Sequence, residues 1–351
     1  MAEDFERVTP QSAGFAPDLA RRLDAGFESG LLRDAHAVAV CRNGRLVLDR
    51  YFAGRDEAWG EDLGLVSFGP DTLHDLRSVT KSIVGLLYGM ALAEGQVPPL
   101  EAPIYASFPE YADLAEDPAR RDITIGHALG MSMGLQWDEM SLPYTDPRNS
   151  EIAMELAPDR YRFVLEQPVV EPPGGRWIYS GGAVALIGAI LARGTGMTLA
   201  AYAAERLFAP LGIGDFGWAA GRDGVQSAAS GLRLGALSLM KIGAMLADNG
   251  RWQGRQVVPA GWLAESWHPL LPSFEGVEYG RLWYLGAART PAFDTPQTFA
   301  AGFGNGGQRL FVMPAAGLAC VVFSGAYNQM DSWMTPSRIW WEIILPNLSE
   351  R

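Results

Sequence analysis

Ser78-Val79-Thr80-Lys81 places a hydroxyl and an amine three residues apart at the front of an apolar run. On a helix such residues share a face, so the two groups can converge. The serine would sit near the positive end of that helix. Partial burial disfavours an ammonium and lowers a lysine pKa from its ordinary value of about 10.4, which makes a neutral amine available. A hydroxyl beside such an amine is an activated nucleophile. A capped helix start with a solvated lysine accounts for the same four residues. Composition adds weight to the chemical reading. The 28 basic residues are 26 Arg and 2 Lys, Lys81 and Lys241. Where arginine meets the general need for positive charge, a lysine suggests a need for a group that can lose its proton. Spacing alone does not decide, because Ser238-Leu239-Met240-Lys241 repeats it inside an amphipathic run. There the expected reading is a surface or groove lysine beside an unrelated serine.

Two further segments carry chemistry. Tyr179 stands in GRWIYSGG, at a Gly-rich turn before a second apolar run. Displayed there, its phenol could shuttle a proton if a lysine ammonium stabilised the phenolate. A packed aromatic with a bonded hydroxyl is the plainer alternative. AAGFGNGGQRLFVMP has four glycines within Gly302–Gly307 ahead of a strand-like run. Glycines allow close backbone approach, and exposed strand N–H groups can hold an oxyanion. A bulge or tight turn would explain them equally.

Together these segments resemble the serine β-lactamase and penicillin-binding-protein superfamily, for which Ser-x-x-Lys is a signature. The class C-like branch, with its carboxylesterases and 6-aminohexanoate-oligomer hydrolases, is the nearer likeness. DITIGHALGMSMGLQWDE, DPRNSEIAMELAPDRYRFVLEQPV and LAAYAAERLFAPLGI share it, over about residues 30 to 345. The resemblance implies Ser78 as nucleophile, Lys81 as its base partner and Tyr179 as the group that takes the serine proton and delivers it to the leaving group. It implies an oxyanion hole from the backbone N–H groups of Ser78 and Gln308. Asn305, Gly306, Gly307 and Gly181 fall at the family's substrate-binding positions. Two departures stand out: Gly181 replaces the Asn of Tyr-x-Asn, and Asn305 replaces a strand cation. Both weaken recognition of a β-lactam carboxylate and leave the acyl-transfer groups in place. Arg309 alternates to the opposite face from Gln308 and is not assigned to a carboxylate. The implied function is a serine hydrolase of small esters or amides. The alternatives are a β-lactamase or D-alanyl peptidase, and a non-catalytic binding module on the same fold.

The elements that must position these groups can be read coarsely. APDLARRLDAGFESG has helical spacing up to Gly30, and AHAVAVCRNGRLVLDRYF reads as strands at about 36–42 and 45–52 around Asn43-Gly44, a strong hairpin signal. Helices are expected over 78–94, about 181–195, 198 to Pro210, 232–249 and about 331–345. QRLFVMP and LACVVFSGAY read as strands around Ala315-Ala316-Gly317. The expected class is α+β. Strands from both chain ends form one antiparallel sheet flanked by helices, residues 1–75 with 295–351. A mostly helical lobe, 76–294, is inserted between them, with the active site at the junction.

Composition limits the rest. Forty acidic residues against 28 basic ones give a net charge of −12, which disfavours nucleic acid as a partner. MAEDFERVTPQ is acidic where a signal peptide is basic, and the longest small or apolar run, about 183–192, is too short for a bilayer. A cytoplasmic protein with no membrane partner is expected. Cys41 and Cys320 read as buried reduced thiols. His36, His74, His127 and His268 lie in separate segments, so no metal and no cofactor is expected. Trp137, Trp177 and Trp283 are expected to serve in packing.

Overall fold

The structure, a computed structural model, describes residues 5–349. Its centre is an eight-stranded antiparallel sheet. The first two strands, Ala35–Arg42 and Arg45–Tyr51, meet at Asn43-Gly44, with φ of 50° and 73°. Two consecutive positive φ values give a turn whose twist matches that of the strands. Leu318–Ser324 pairs with Ala35–Arg42, so the two ends of the chain share one sheet as expected. Outward from it follow Gln308–Met313, Gln297–Gly304, Tyr284–Ala288, Val277–Tyr279 and Leu271–Phe274.

The last three strands correct the expected boundary. They lie between residues 271 and 288, inside the segment read as helical, so the sheet begins upstream of 295. They are three to five residues long, with Pro272 inside the first and Gly276 in the turn after it, too short for a pattern to stand out. A second correction concerns 232–249. Leu232–Leu234 is a strand on His74–Asp75, and the helix is Ala236–Ala247, starting after Gly235 in extended conformation.

Strand alternation sends side chains to two layers. On one face Ala37, Ala39, Cys41, Val312 and Val321 pack with the buried helices Val79–Ala93 and Ala236–Ala247. On the other, Val38, Val40, Phe311, Cys320 and Val322 meet Leu19 and Leu23 of the first helix and Ile339, Trp340 and Ile344 of the last helical segment. The thiols therefore point to opposite faces. Burial pushes the Cys41 thiol up to about 12 and Cys320 further in the same direction. Among the described residues no single helix is long and apolar enough to cross a membrane.

Candidate active site

Ser78 stands at the N-cap of Val79–Ala93. The residue before it, Arg77, has φ of +46°, a conformation that L side chains rarely adopt. Asp75 holds it there by accepting the Arg77 N–H at 3.1 Å, while the Arg77 guanidinium reaches Glu57 at 2.9 Å. Strain fixed by surrounding contacts is a recurrent feature of functional turns. One turn on, Lys81 is 2% exposed. Its Nζ donates to Ser78 Oγ at 3.0 Å and to the Ala229 carbonyl at 3.1 Å, and faces Glu139 Oε1 at 3.6 Å.

Tyr179 joins them. Its segment is clamped by Ile178 N–H on the Met131 carbonyl at 2.7 Å and enters the helix Gly181–Thr195 through Ser180, whose hydroxyl accepts the Ala183 N–H at 3.0 Å. The Tyr179 ring lies 4.8 Å from Lys81 Nζ. Burial and then the Glu139 carboxylate push the phenol well above its ordinary range, against the opposing effect of Ser78. A resting phenolate stabilised by Lys81 is therefore disfavoured. The sequence reading had no carboxylate at this point, and Glu139 changes the electrostatics.

The Gly-rich strand runs beside the turn that carries Ser78. A Cβ on Gly304 would stand 2.5 Å from the Leu76 carbonyl, so only glycine permits this approach. Asn305 then faces the cavity and pairs with Asn328, whose N–H it accepts at 2.9 Å. Gly306 and Gly307, with φ of 83° and 95°, form a buried turn behind the cavity wall. The Gln308 side chain turns away to Ser324, donating to its carbonyl at 2.6 Å and accepting its N–H at 3.1 Å. Arg309 is buried over the Phe303 ring and donates to the Gly304 and Gln308 carbonyls at 3.0 and 2.8 Å; burial lowers it to about 10.

A cavity of about 390 Å³ opens on Ser78 and Lys81. Its wall includes Trp59, Arg77, Tyr144, Glu151, Glu155, Ser230 and Asn328, none of which was singled out in the sequence, although Glu151 and Glu155 lie within DPRNSEIAMELAPDRYRFVLEQPV. Gly181 is not in the wall. It is buried, and its N–H donates to Glu139 Oε2 at 2.6 Å. Trp137 donates to the same oxygen at 2.8 Å, Trp177 packs among Tyr179, Phe274, Tyr279 and Tyr284, and Trp283 is fully buried. Lys241 departs from the surface reading: it is 3% exposed and donates to the Gly212 carbonyl at 3.0 Å.

Two histidines also depart from expectation. His36 and His74 meet, Nδ1 to Nε2 at 2.9 Å, beside Asp56, so residues distant in sequence form a cluster that linear spacing could not show. Tyr327 donates to Asp56 at 2.8 Å, and Arg233 approaches the same carboxylate at 3.4 Å. The ring nitrogens bond each other and an arginine already supplies the positive charge, which describes a satisfied polar network. Burial lowers both imidazoles to about 3.

Esterase EstB of Burkholderia gladioli is 32% identical over 217 residues, 58% of this chain; the match spans 52% of that protein, about half its length. The 6-aminohexanoate-dimer hydrolase of Paenarthrobacter ureafaciens is 23% identical over 349 residues, covering 93% of this chain and 78% of its own. A Bacillus anthracis structure provisionally named a 6-aminohexanoate-dimer hydrolase superposes with a TM-score of 0.74 at 20% identity, over 96% of this chain and 86% of its own. Such structural neighbours, which include a penicillin-binding-protein homologue from Pyrococcus abyssi with a TM-score of 0.65 at 18% identity over 92% of this chain and 77% of its own, share the β-lactamase and transpeptidase fold. The Beta-lactamase family profile matches residues 27–332, most of the chain and every group placed around Ser78, and on that ground the chain belongs to the Beta-lactamase family.

Proposed function

We propose that this protein is a serine hydrolase that cleaves a small ester or amide through an acyl-enzyme on Ser78. The observation that carries the reading is the 3.0 Å contact between Ser78 Oγ and Lys81 Nζ at the wall of an open cavity, with the Tyr179 ring 4.8 Å from the same amine. Ser78 Oγ attacks the substrate carbonyl as its proton passes to Lys81 Nζ. The tetrahedral oxyanion faces the backbone N–H of Ser78, a donor of the kind that accounts for about 10²–10³ in rate; Gln308, the second donor expected, is fully buried and outside the cavity wall. Tyr179, a neutral phenol by its surroundings, gives its proton to the departing oxygen or nitrogen and recovers one from Lys81. Water then enters by the same route in reverse and frees the acid.

The charges of the cavity do not favour an anionic substrate. Arg77 is engaged by Glu57 and by Asp75, at 2.9 and 3.4 Å, and Lys81 is held by its own partners. Neither cation is offered to a substrate carboxylate, and Asn305 adds none. This supports an ester or amide over a β-lactam. The names of the two curated relatives, an esterase and an amide hydrolase, support the same pair of substrate classes.

The test is turnover of p-nitrophenyl acetate and butyrate and of 6-aminohexanoate dimer, with mass spectrometry locating the acyl group. Acylation of Ser78 is expected. Equal rates for the wild type and Ser78→Ala remove the assignment. Nitrocefin turnover that outpaces the esters moves the reading to a β-lactamase. Ligand retention without any adduct moves it to a binding module.

A further inference from the structure

Trp59-Gly60 closes the hairpin of Ala53–Ala58 and Glu61–Ser67, with φ of 49° and 91°. Asn43-Gly44 closes the first hairpin with like values, 50° and 73°. There the first position holds an asparagine, which tolerates a positive φ; here it holds a tryptophan, which rarely adopts one. A bulky residue kept in that region implies a use for its side chain. The Trp59 indole donates to Ser230 Oγ at 3.1 Å, and Trp59, Gly60 and Ser230 share the cavity wall with Ser78 and Lys81. Asp75, 1% exposed, keeps the tryptophan in place by accepting its backbone N–H on Oδ2 at 2.6 Å. The other oxygen, Oδ1, accepts the N–H of Arg77, also at positive φ and in the same wall. Arg77 in turn reaches the hairpin through Glu57, two residues before Trp59. One buried carboxylate therefore joins the tip of a hairpin to the residue that precedes Ser78.

We propose that Asp75 is a positioning residue that fixes the Ser78 turn and the Trp59 wall relative to each other, and that Trp59 sets the length of acyl chain the site accepts. This rests on the serine-hydrolase reading. In that reaction Tyr179 protonates the leaving group, and Tyr179 lines not this cavity but a neighbouring one of about 260 Å³. The acyl portion is the part of the substrate left to face Trp59. The indole is tied at its ring nitrogen by Ser230 and at its backbone by Asp75, so it does not swing aside for a longer chain without losing one of those bonds. A change at Asp75 is felt at both ends, because each oxygen serves a different segment. A shift of about 1 Å at a reacting group costs roughly 10² in rate. Asp75 touches neither Ser78 nor substrate; it acts through Arg77 and Trp59.

The experiment measures kcat and KM along p-nitrophenyl esters from acetate to octanoate. Trp59→Asn removes the indole and keeps the turn, since asparagine stands at the matching position of the first hairpin. The octanoate-to-acetate ratio of kcat/KM should rise about tenfold or more. Asp75→Asn leaves one acceptor for two N–H groups. Its kcat for acetate should fall about 10²-fold, with the loss in kcat rather than KM, and its octanoate-to-acetate ratio should rise as Trp59 slips. Adding Arg77→Gly to Asp75→Asn should restore much of that kcat, because glycine takes the positive φ unaided. Adding Trp59→Asn instead should leave the ratio where Trp59→Asn alone put it, since both act through one side chain. A Trp59→Asn profile superimposed on the wild type overturns the proposal. So does Asp75→Asn with its kcat intact, or with no recovery from Arg77→Gly. If Asp75→Asn does not fold, the Trp59→Asn profile decides alone. Failure of the parent reading looks different: the wild type then shows neither turnover nor an adduct on Ser78, whereas failure here leaves Ser78 acylated and the chain-length profiles unmoved.

Discussion

The chain carries the same four-residue spacing twice. Ser78–Lys81 and Ser238–Lys241 each put a serine one turn before a buried lysine on an apolar helix packed against the sheet. At the first, the serine is the N-cap, the amine donates to the serine oxygen, and a tyrosine and a carboxylate approach from other segments. At the second, the serine lies within the helix and the amine donates to the Gly212 carbonyl. The two lysines are buried alike, 2% and 3% exposed, so burial does not single out the proposed nucleophile. Position at a helix start, an open cavity and partners brought in by the fold do.

The comparison breaks most directly at the serines. Ser78→Ala should lower ester turnover about 10³-fold or more, as expected when a nucleophile is lost, while Ser238→Ala leaves it unchanged. Equal losses from both would dissolve the distinction. Next come the lysines. Lys81→Arg should lower kcat about 10²-fold or more, because a guanidinium does not give up its proton. Lys241→Met should leave kcat intact and reduce stability by roughly 1–3 kcal/mol, as a buried carbonyl loses a donor. Urea midpoints and kcat measured on the same preparations separate the two.

The third expected effect is smaller and follows acidification. His36 and His74, both held near 3, take up protons on unfolding below about pH 6.5. Their depressed values mean that stability is complete above about 6.5 and declines as the pH falls toward about 3. His74 lies on the strand that leads into Ser78, so amide exchange should rise at 74–81 before it rises at 236–247. A stability flat across that window, or exchange rising at both segments together, contradicts the asymmetry.

Much of the frame was legible in the sequence because it rests on local signals. Asn43-Gly44 marks its own turn, strand alternation marks the two faces, and the helix Gly181–Thr195 falls where its small apolar residues and Gly196 place it. The three strands from Leu271 to Ala288 were hidden because short, proline-bearing segments acquire strand character only from neighbours already in the sheet. In the site, Ser78, Lys81 and Tyr179 were visible because each opens or borders a helix. Glu139 and Glu151 were not. They sit in and beside an irregular stretch, and their place beside Lys81 and Gly181 depends on a fold that sequence spacing does not encode. Gly181 gave half of a signal: a missing side chain says that something else fills the space, without saying what.

The two thiols, one beneath each helical layer, offer a way to watch the protein come apart. Paired strands carry them, Cys41 opposite Ala319 and Cys320 opposite Val40. Their raised values leave almost no thiolate to react with an alkylating reagent while the sheet is covered. Labelling must therefore wait for a layer to lift, and the adduct that forms first names the side that lifted.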